Sequence, residues 1–184
     1  MTAGFRLRDA TPADAPGIAA IYGYWVLNGT GTFEETIPST DEMSARMANV
    51  AKSGMPWMVA VDAKDAVKAY AYTSPFRPRT GYRWSVEDSV YVAPEAHGRG
   101  LGSTLLRAVL AKTEAAGIRQ VVAVIGDSAN QGSVGLHRAC GFQDMGIFRD
   151  VGYKFGRWLD IVLMQLTLNG GSASPPAPGT GWRA

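Results

Sequence analysis

The run Gly98-Arg99-Gly100-Leu101-Gly102 constrains this chain most, because of what stands on either side of it. Tyr82 to Val92 alternates and is rich in β-branched and aromatic residues, the pattern of a strand. Ala93 and Pro94 end it. From about Gly100 to Ala116, Leu101, Leu105, Leu106, Val109 and Leu110 recur at helical spacing. Glycines without a β-carbon let successive backbone N–H groups converge on one anion, and a helix N-terminus adds free donors and partial positive charge. Strand, glycine turn and helix start together make a cradle for a pyrophosphate. Arg99 can add a full charge beside it. Two nucleotide motifs fail on detail: no lysine lies between Lys68 and Lys112 to complete a P-loop, and Ser103 stands where a dinucleotide fingerprint has its third glycine. A tight turn with no ligand is the plain alternative for an isolated Gly-x-Gly.

Around this segment the periodicity predicts an alternating order of elements. Phe5 to Arg8 reads as a short strand. Thr11-Pro12-Ala13-Asp14 reads as a helix start, with Thr11 as N-cap, and Ile18, Ile21, Tyr22 and Trp25 carry the helix to about Leu27. A second helix opens at Pro38-Ser39-Thr40-Asp41 and closes at Ser53-Gly54. Trp57 to Val61 and Ala69 to Tyr72 read as strands, and Val121 to Ile125 as a strand buried on both faces. A helix from about Asn130 to Cys140 follows, then strands near Met145 to Phe148 and Leu159 to Leu168. This order implies a mixed α/β layer around a central sheet. From Asn169 the chain turns to Gly-Gly-Ser-Ala-Ser-Pro-Pro-Ala-Pro-Gly, so residues 1–168 are expected to form one domain and residues 169–184 a disordered tail.

Composition narrows the function. Of 184 residues, 46% are apolar and 18% charged, and the net charge of +2 gives no mandate for nucleic acid or an anionic membrane. No apolar run could span a bilayer and the start lacks a secretory pattern, so a cytoplasmic protein is expected. Cys140 is the single cysteine and His97 and His137 the two histidines, which leaves no basis for a disulfide or a metal site. Cys140 follows a helix without an activating base and reads as a small buried thiol.

By strand parity Trp84, Val86, Val90 and Val92 share one face of the Tyr82–Val92 strand, while Glu87, Ser89 and Tyr91 share the other. Asp88 then falls on the apolar face, where an unpaired carboxylate is costly. A β-bulge at Glu87-Asp88-Ser89 would resolve the conflict.

Val92 to Leu106 resembles the acetyl-CoA-binding motif of the GNAT acetyltransferases, Gln/Arg-x-x-Gly-x-Gly/Ala, with His97, Gly100 and Gly102 at the defining positions; His97 departs from the usual Gln or Arg. Trp84 to Val92, Leu136 to Phe142 and Lys154 to Asp160 resemble the phosphinothricin and methionine sulfoximine acetyltransferases within that family, and the likeness runs from about Phe5 to Leu168. It implies the GNAT fold, an α/β (α+β) architecture with a central mixed, mostly antiparallel, splayed sheet flanked by helices. It also implies acetyl-CoA as cosubstrate, no metal, a small amino-acid-like amine as acceptor, and a homodimer.

Residue by residue, the resemblance assigns Glu87 as the base that removes the amine proton, against the alternative of a structural strand carboxylate. His137 stands where many members carry a tyrosine that protonates sulfur; its alternative is a packed helix histidine. The N–H of Val90 could polarise the thioester carbonyl. Val90, Tyr91, Val92, His97 and Gly98 would contact the cofactor, as would Arg99, Gly100, Leu101, Gly102 and Ser103. Asn130 would cap its helix and reach the pantetheine or phosphates. Arg77, Pro78 and Arg79, with Glu87, Asp88 and Ser89, fall in the segments that bind the acceptor, and Arg77 and Arg79 suit a carboxylate or phosphinate. Phe33 and Trp84 are candidate pocket walls. Tyr153 and Trp158 read as packing or dimer residues. Two other functions stay open: acylation of a peptide N-terminus or polyamine, and a catalytically silent acyl-CoA sensor.

Overall fold

Thr11 and Asp14 form a reciprocal capping box around the 3₁₀ turn Pro12–Asp14, and Arg8 closes bidentately on the Asp14 carboxylate at 2.7 Å. This pins the end of strand β1 (Arg6–Asp9) to helix α1 (Ala15–Asn28). Ser39 accepts from the Glu42 amide and so starts α2 (Thr40–Lys52). The chain continues through β2 (Trp57–Val61), β3 (Val67–Pro75), β4 (Ser85–Val92), α3 (Leu101–Ala115) and β5 (Gln120–Gly126). It ends with α4 (Gln131–Ala139), β6 (Gln143–Lys154) and β7 (Arg157–Thr167). This computed structural model describes residues 4–183, so the first three residues of the expected domain and the last of the expected tail lie outside it.

The seven strands form one sheet in the order β1-β2-β3-β4-β5-β7-β6. All neighbours pair antiparallel except β4 and β5, which are parallel. That single parallel contact is short. Ser85, Val86 and Glu87 pair with Gln120, Val121 and Val122, and beyond Glu87 the two strands are unpaired. On its other edge β4 stays in register with β3 from Val86 to Val92 without a shift, so the expected bulge is absent. The burial conflict at Asp88 is resolved by a partner instead, as described below.

Helices cover both faces. Tyr22 of α1 packs edge-on against Tyr91, an odd-numbered residue of β4, while Gly102 of α3 lies against Val90 and Val92 on the even-numbered side. Every residue of β2 is buried, as expected of a strand covered on both faces. Leu101, Leu105, Leu106 and Val109 are fully enclosed under α3, each contributing ~1.5–3 kcal/mol of burial. No helix among the described residues is long and apolar enough to cross a membrane.

The expectation of a disordered tail is corrected. The Gly/Pro-rich stretch makes no core of its own, but it borrows one: Trp182 is buried to 3% exposure, and its indole donates to the Tyr82 carbonyl at 2.9 Å. Arg119 reaches the carbonyls of Asn169, Gly171 and Pro175 along the way. Composition alone gives no weight to one tryptophan at the end of such a stretch.

Candidate active site

The parting of β4 from β5 opens a cleft of about 1080 Å³, just above the usual ~300–1,000 Å³ for small-molecule sites. Its lining includes buried Asp88 and His137 beside half-buried Glu87, and exposed His97, Gly98 and Gly100 beside half-buried Ser103. Phe76 N–H donates to Ser85 and Ala93 N–H to Lys68, so the odd-numbered residues of β4 turn their backbone groups toward β3. The backbone groups of Asp88, Val90 and Val92 therefore point into the gap. The Val92 carbonyl is taken there by the Trp25 indole at 2.8 Å and by His97 Nε2 at 3.1 Å.

The glycine turn has the geometry its sequence demands. Gly98 and Gly100 hold φ of 73° and 70°, in the left-handed region that side chains rarely enter. Gly100 is the N-cap of α3 and no side chain caps that end, so the first amides of the helix are free to meet a ligand. Ser103 and Thr104 hydroxyls both turn back to the Gly100 carbonyl at 3.0 Å. Arg99 does not turn into the cleft. Its guanidinium stacks over Phe5 at 5.7 Å. His97, the departure from the motif, stacks on Trp25 at 5.2 Å and so ties the turn to α1.

Glu87 lies on the odd-numbered face, beside Tyr72. Burial raises its carboxyl above the ordinary range, the neighbouring Asp88 charge raises it further, and Arg77 opposes both. Burial likewise raises the Tyr72 hydroxyl. Asp88 lies on the opposite face, buried, with Oδ2 at 3.0 Å from His137 Nε2. His137 Nδ1 sits 2.8 Å from the Ser133 carbonyl and must donate to it. One proton is therefore shared between Nε2 and Oδ2. Burial pulls His137 down, but the Asp88 bond and charge and the Ser133 carbonyl outweigh it and raise the ring above 6.5. Asp88 Oδ1 is buried with no partner among the described residues.

Asn130 caps α4 through the Ser133 amide at 3.2 Å and lines the cleft. Leu101, Gly102, Val90, Tyr91, Val92 and Ser89 also line it. Arg77, Pro78 and Arg79 are exposed on the loop before β4 and stay outside the cleft lining; the Arg77 guanidinium stacks over Phe76 at 5.1 Å. Phe33 is not a cleft wall either. Its ring packs against Gly152 and Gly126, beneath the loop from Gly29 to Thr32. Trp84 gives its indole N–H to Thr180 Oγ1 at 3.1 Å, away from the cleft. Cys140 is a free, buried thiol that burial raises above its usual range.

Several site residues escape a reading by motif. Tyr22, Trp25 and Tyr72 line the cleft, as do Thr30, Gly31 and Thr32 of the α1–α2 loop. That loop is held by Lys154, whose buried ammonium donates to the Gly29 carbonyl at 3.0 Å and the Thr32 carbonyl at 2.8 Å. Arg157 pairs with Asp127 at 2.5 Å at the same rim. The β3 alternation Tyr70-Ala71-Tyr72 is a signal for Tyr72; Lys154 and Arg157 have none beyond the Lys154–Asp160 resemblance. Among the described residues no cluster of histidine, cysteine and carboxylates could hold a metal ion.

Comparison with known proteins agrees with this arrangement. Residues 7–163 match the model of the acetyltransferase (GNAT) domain. A phosphinothricin N-acetyltransferase of Alcaligenes faecalis is 48% identical over 163 residues, 89% of this chain and 82% of that one. The L-methionine sulfoximine/L-methionine sulfone acetyltransferase of Pseudomonas aeruginosa is 43% identical over 92% of this chain and 98% of its own length. The crystal structure of a GNAT superfamily phosphinothricin acetyltransferase from Sinorhizobium meliloti, in complex with acetyl-CoA, superposes with a TM-score of 0.93 at 47% identity, covering 98% of this chain and 96% of that one. With a parted β4–β5 pair, an uncapped glycine turn at α3 and these relatives, the chain belongs to the GNAT family and is an N-acetyltransferase.

Proposed function

We propose that this enzyme moves the acetyl group of acetyl-CoA to the amine of a small amino-acid-like acceptor, of the phosphinothricin or methionine sulfoximine and sulfone type. The observation that carries this is the single cleft lined both by the free amides at the start of α3 and by the half-buried carboxylate of Glu87. It admits a long phosphorylated donor at one end and a compact amine at the other. The relatives acting on these amino-acid analogues support the acceptor class.

In the reaction Glu87 takes a proton from the acceptor ammonium, for which its raised proton affinity suits it. The amine nitrogen attacks the thioester carbonyl carbon, and the carbonyl oxygen receives the Val90 N–H that points into the gap. As the tetrahedral adduct collapses, the nitrogen sheds its second proton to solvent, the C–S bond breaks and its electron pair leaves on sulfur. The thiolate takes a proton from His137, whose shared proton with Asp88 is the store at that end of the cleft. Arg77, whose charge lowers the proton affinity of Glu87, binds the acidic group of the acceptor.

The enzyme acts as a homodimer through β6, the edge strand, where Ile147, Phe148, Val151 and Tyr153 are exposed beside Trp158 at 61% exposure. Cytoplasmic residence fits its unpaired thiol. A panel of amines assayed for release of CoA thiol tests the assignment. Turnover on methionine sulfone and phosphinothricin is expected. Turnover confined to polyamines or peptide N-termini, or none with any amine despite acetyl-CoA binding, would replace it.

A further inference from the structure

The segment after β7 is fastened at both ends of its path. At its start, Asn169 Nδ2 donates to the carbonyls of Glu114 at 2.8 Å and Ile118 at 2.9 Å, behind α3. At its end, the backbone N–H groups of Gly181, Trp182 and Arg183 donate to Ala116, Arg83 and Ser53 at 3.1, 3.0 and 2.8 Å. A β-carbon on Gly181 would stand 2.6 Å from the Arg83 carbonyl, so the strap lies directly on the chain there.

What it lies on matters. The Trp182 indole takes the Tyr82 carbonyl, the Trp182 amide takes the Arg83 carbonyl, and the Trp84 indole takes Thr180. Three successive residues, Tyr82, Arg83 and Trp84, are thus held by the strap immediately before β4 begins at Ser85. The other end of the same loop is held by the Phe76 amide on the Ser85 carbonyl, and Phe76 packs edge-on against Tyr82 at 5.9 Å. Between these anchors stand Arg77, Pro78 and Arg79, exposed and without a side-chain ion pair among the described residues. The Arg77 guanidinium stacks on Phe76, a residue of the same loop. Its distance from Glu87 is set by whatever fixes the loop.

We infer that the C-terminal strap, through Trp182, is a positioning element of the acceptor site that holds the Phe76–Trp84 loop so that Arg77 meets the acceptor's acidic group. This rests on the reading above that Arg77 binds that group. Trp182 touches no reactant; it acts through Tyr82 and Arg83.

The test compares Trp182→Ala, Trp182→Phe and deletion of residues 176–184 with the intact enzyme. Each is assayed on methionine sulfone and on its decarboxylated amine, which lacks the only acidic group. If the intact enzyme prefers another amino acid, that one and its decarboxylated amine serve instead. Expected for Trp182→Ala and the deletion is a KM raised on the order of 10-fold for the amino acid. The KM for the decarboxylated amine, and acetyl-CoA affinity by calorimetry, stay unchanged, while amide exchange quickens from Phe76 to Trp84. Trp182→Phe keeps the packing and recovers most of the affinity. Equal losses on both acceptors, a matching loss of acetyl-CoA affinity, or faster exchange with no change in KM would each overturn the inference. Arg77→Ala in parallel separates the two ideas. If it is silent while Trp182→Ala raises KM, the arginine reading falls and the strap stands only as a support of the loop, acting through another of its residues; if only Arg77→Ala acts, the strap falls alone.

Discussion

Glu87 and Asp88 are consecutive on β4, yet their carboxyl groups serve opposite faces of the sheet: Glu87 beside Tyr72, Asp88 bonded to His137 on α4. Strand parity forces the separation, and only the backbone between them is shared. Glu87 nevertheless feels its neighbour, because the Asp88 charge raises its proton affinity. Two carboxyl groups in one short segment thus have two environments.

Replacing Glu87 by Gln keeps shape while removing basicity. Turnover should fall by ~10²–10⁴, the usual contribution of a positioned base. Because burial raises the folded-state proton affinity of Glu87, ionisation at neutral pH works against folding, and the variant should unfold at the same or a higher urea concentration than the parent. Steady-state rates and urea titrations at pH 7.5 check both halves. Full activity in the variant would remove Glu87 from the chemistry.

Arg77 lowers the proton affinity of Glu87, so Arg77→Ala should let it rise. The acid limb of the kcat/KM profile then moves to higher pH, whatever acceptor is used. For acceptors with an acidic group KM should also rise by ~10 to 150-fold, the worth of a lost charged hydrogen bond. An unmoved acid limb would place Arg77 out of reach of Glu87.

The Asp88–His137 pair predicts a pH-dependent stability. The His137 ring has a folded-state proton affinity above its ordinary 6.5, against the pull of burial, because Asp88 and the Ser133 carbonyl favour the charged form. Its contribution is complete below pH ~6.5 and fades as pH rises through the elevated folded value. Asp88→Asn removes the charge, so the decline in urea midpoint across this window should flatten while overall stability drops. Equal slopes in parent and variant would break the assignment.

At the mouth of the cleft, Gly100→Val meets no steric neighbour, since nothing lies within 4 Å of a β-carbon there. The cost is conformational: a β-branched residue at φ 70° is strained by ~1–2 kcal/mol. The turn should relax away from its anion-binding form, weakening acetyl-CoA at least tenfold by calorimetry while the acceptor KM is unchanged. Undiminished affinity would mean that these amides do not hold the donor.

The parts of this molecule legible in sequence are those whose signals are local. The glycine turn, the leucine face of α3 and the Asn130 cap are each written within a few residues, and the structure has all three. The bulge expected at Asp88 failed for the opposite reason. The group that partners one oxygen of Asp88 lies 49 residues away, on another element. Trp182 and Lys154 are the same lesson, since each is buried by a segment at least 100 residues distant in the chain. Arg99 shows the converse: a charge in the right place in sequence turned to an aromatic neighbour instead.

The β4–β5 ladder stops at Glu87, and that break has a further consequence. An interior strand is left with main-chain donors and acceptors at Asp88 and Val90 that no protein strand completes. Unfinished rungs of that kind are an invitation to any extended molecule carrying amides of its own, and the pantetheine arm of CoA carries two. The cosubstrate would then enter as a missing strand, gripped by backbone rather than by side chains. Such a grip cannot be mutated away one side chain at a time, so Val90 and Val92 are free to drift among residues that pack against α3 without loss of the donor. With the donor seated that way, amides flanking the gap should exchange faster with solvent in the empty enzyme than in the loaded one.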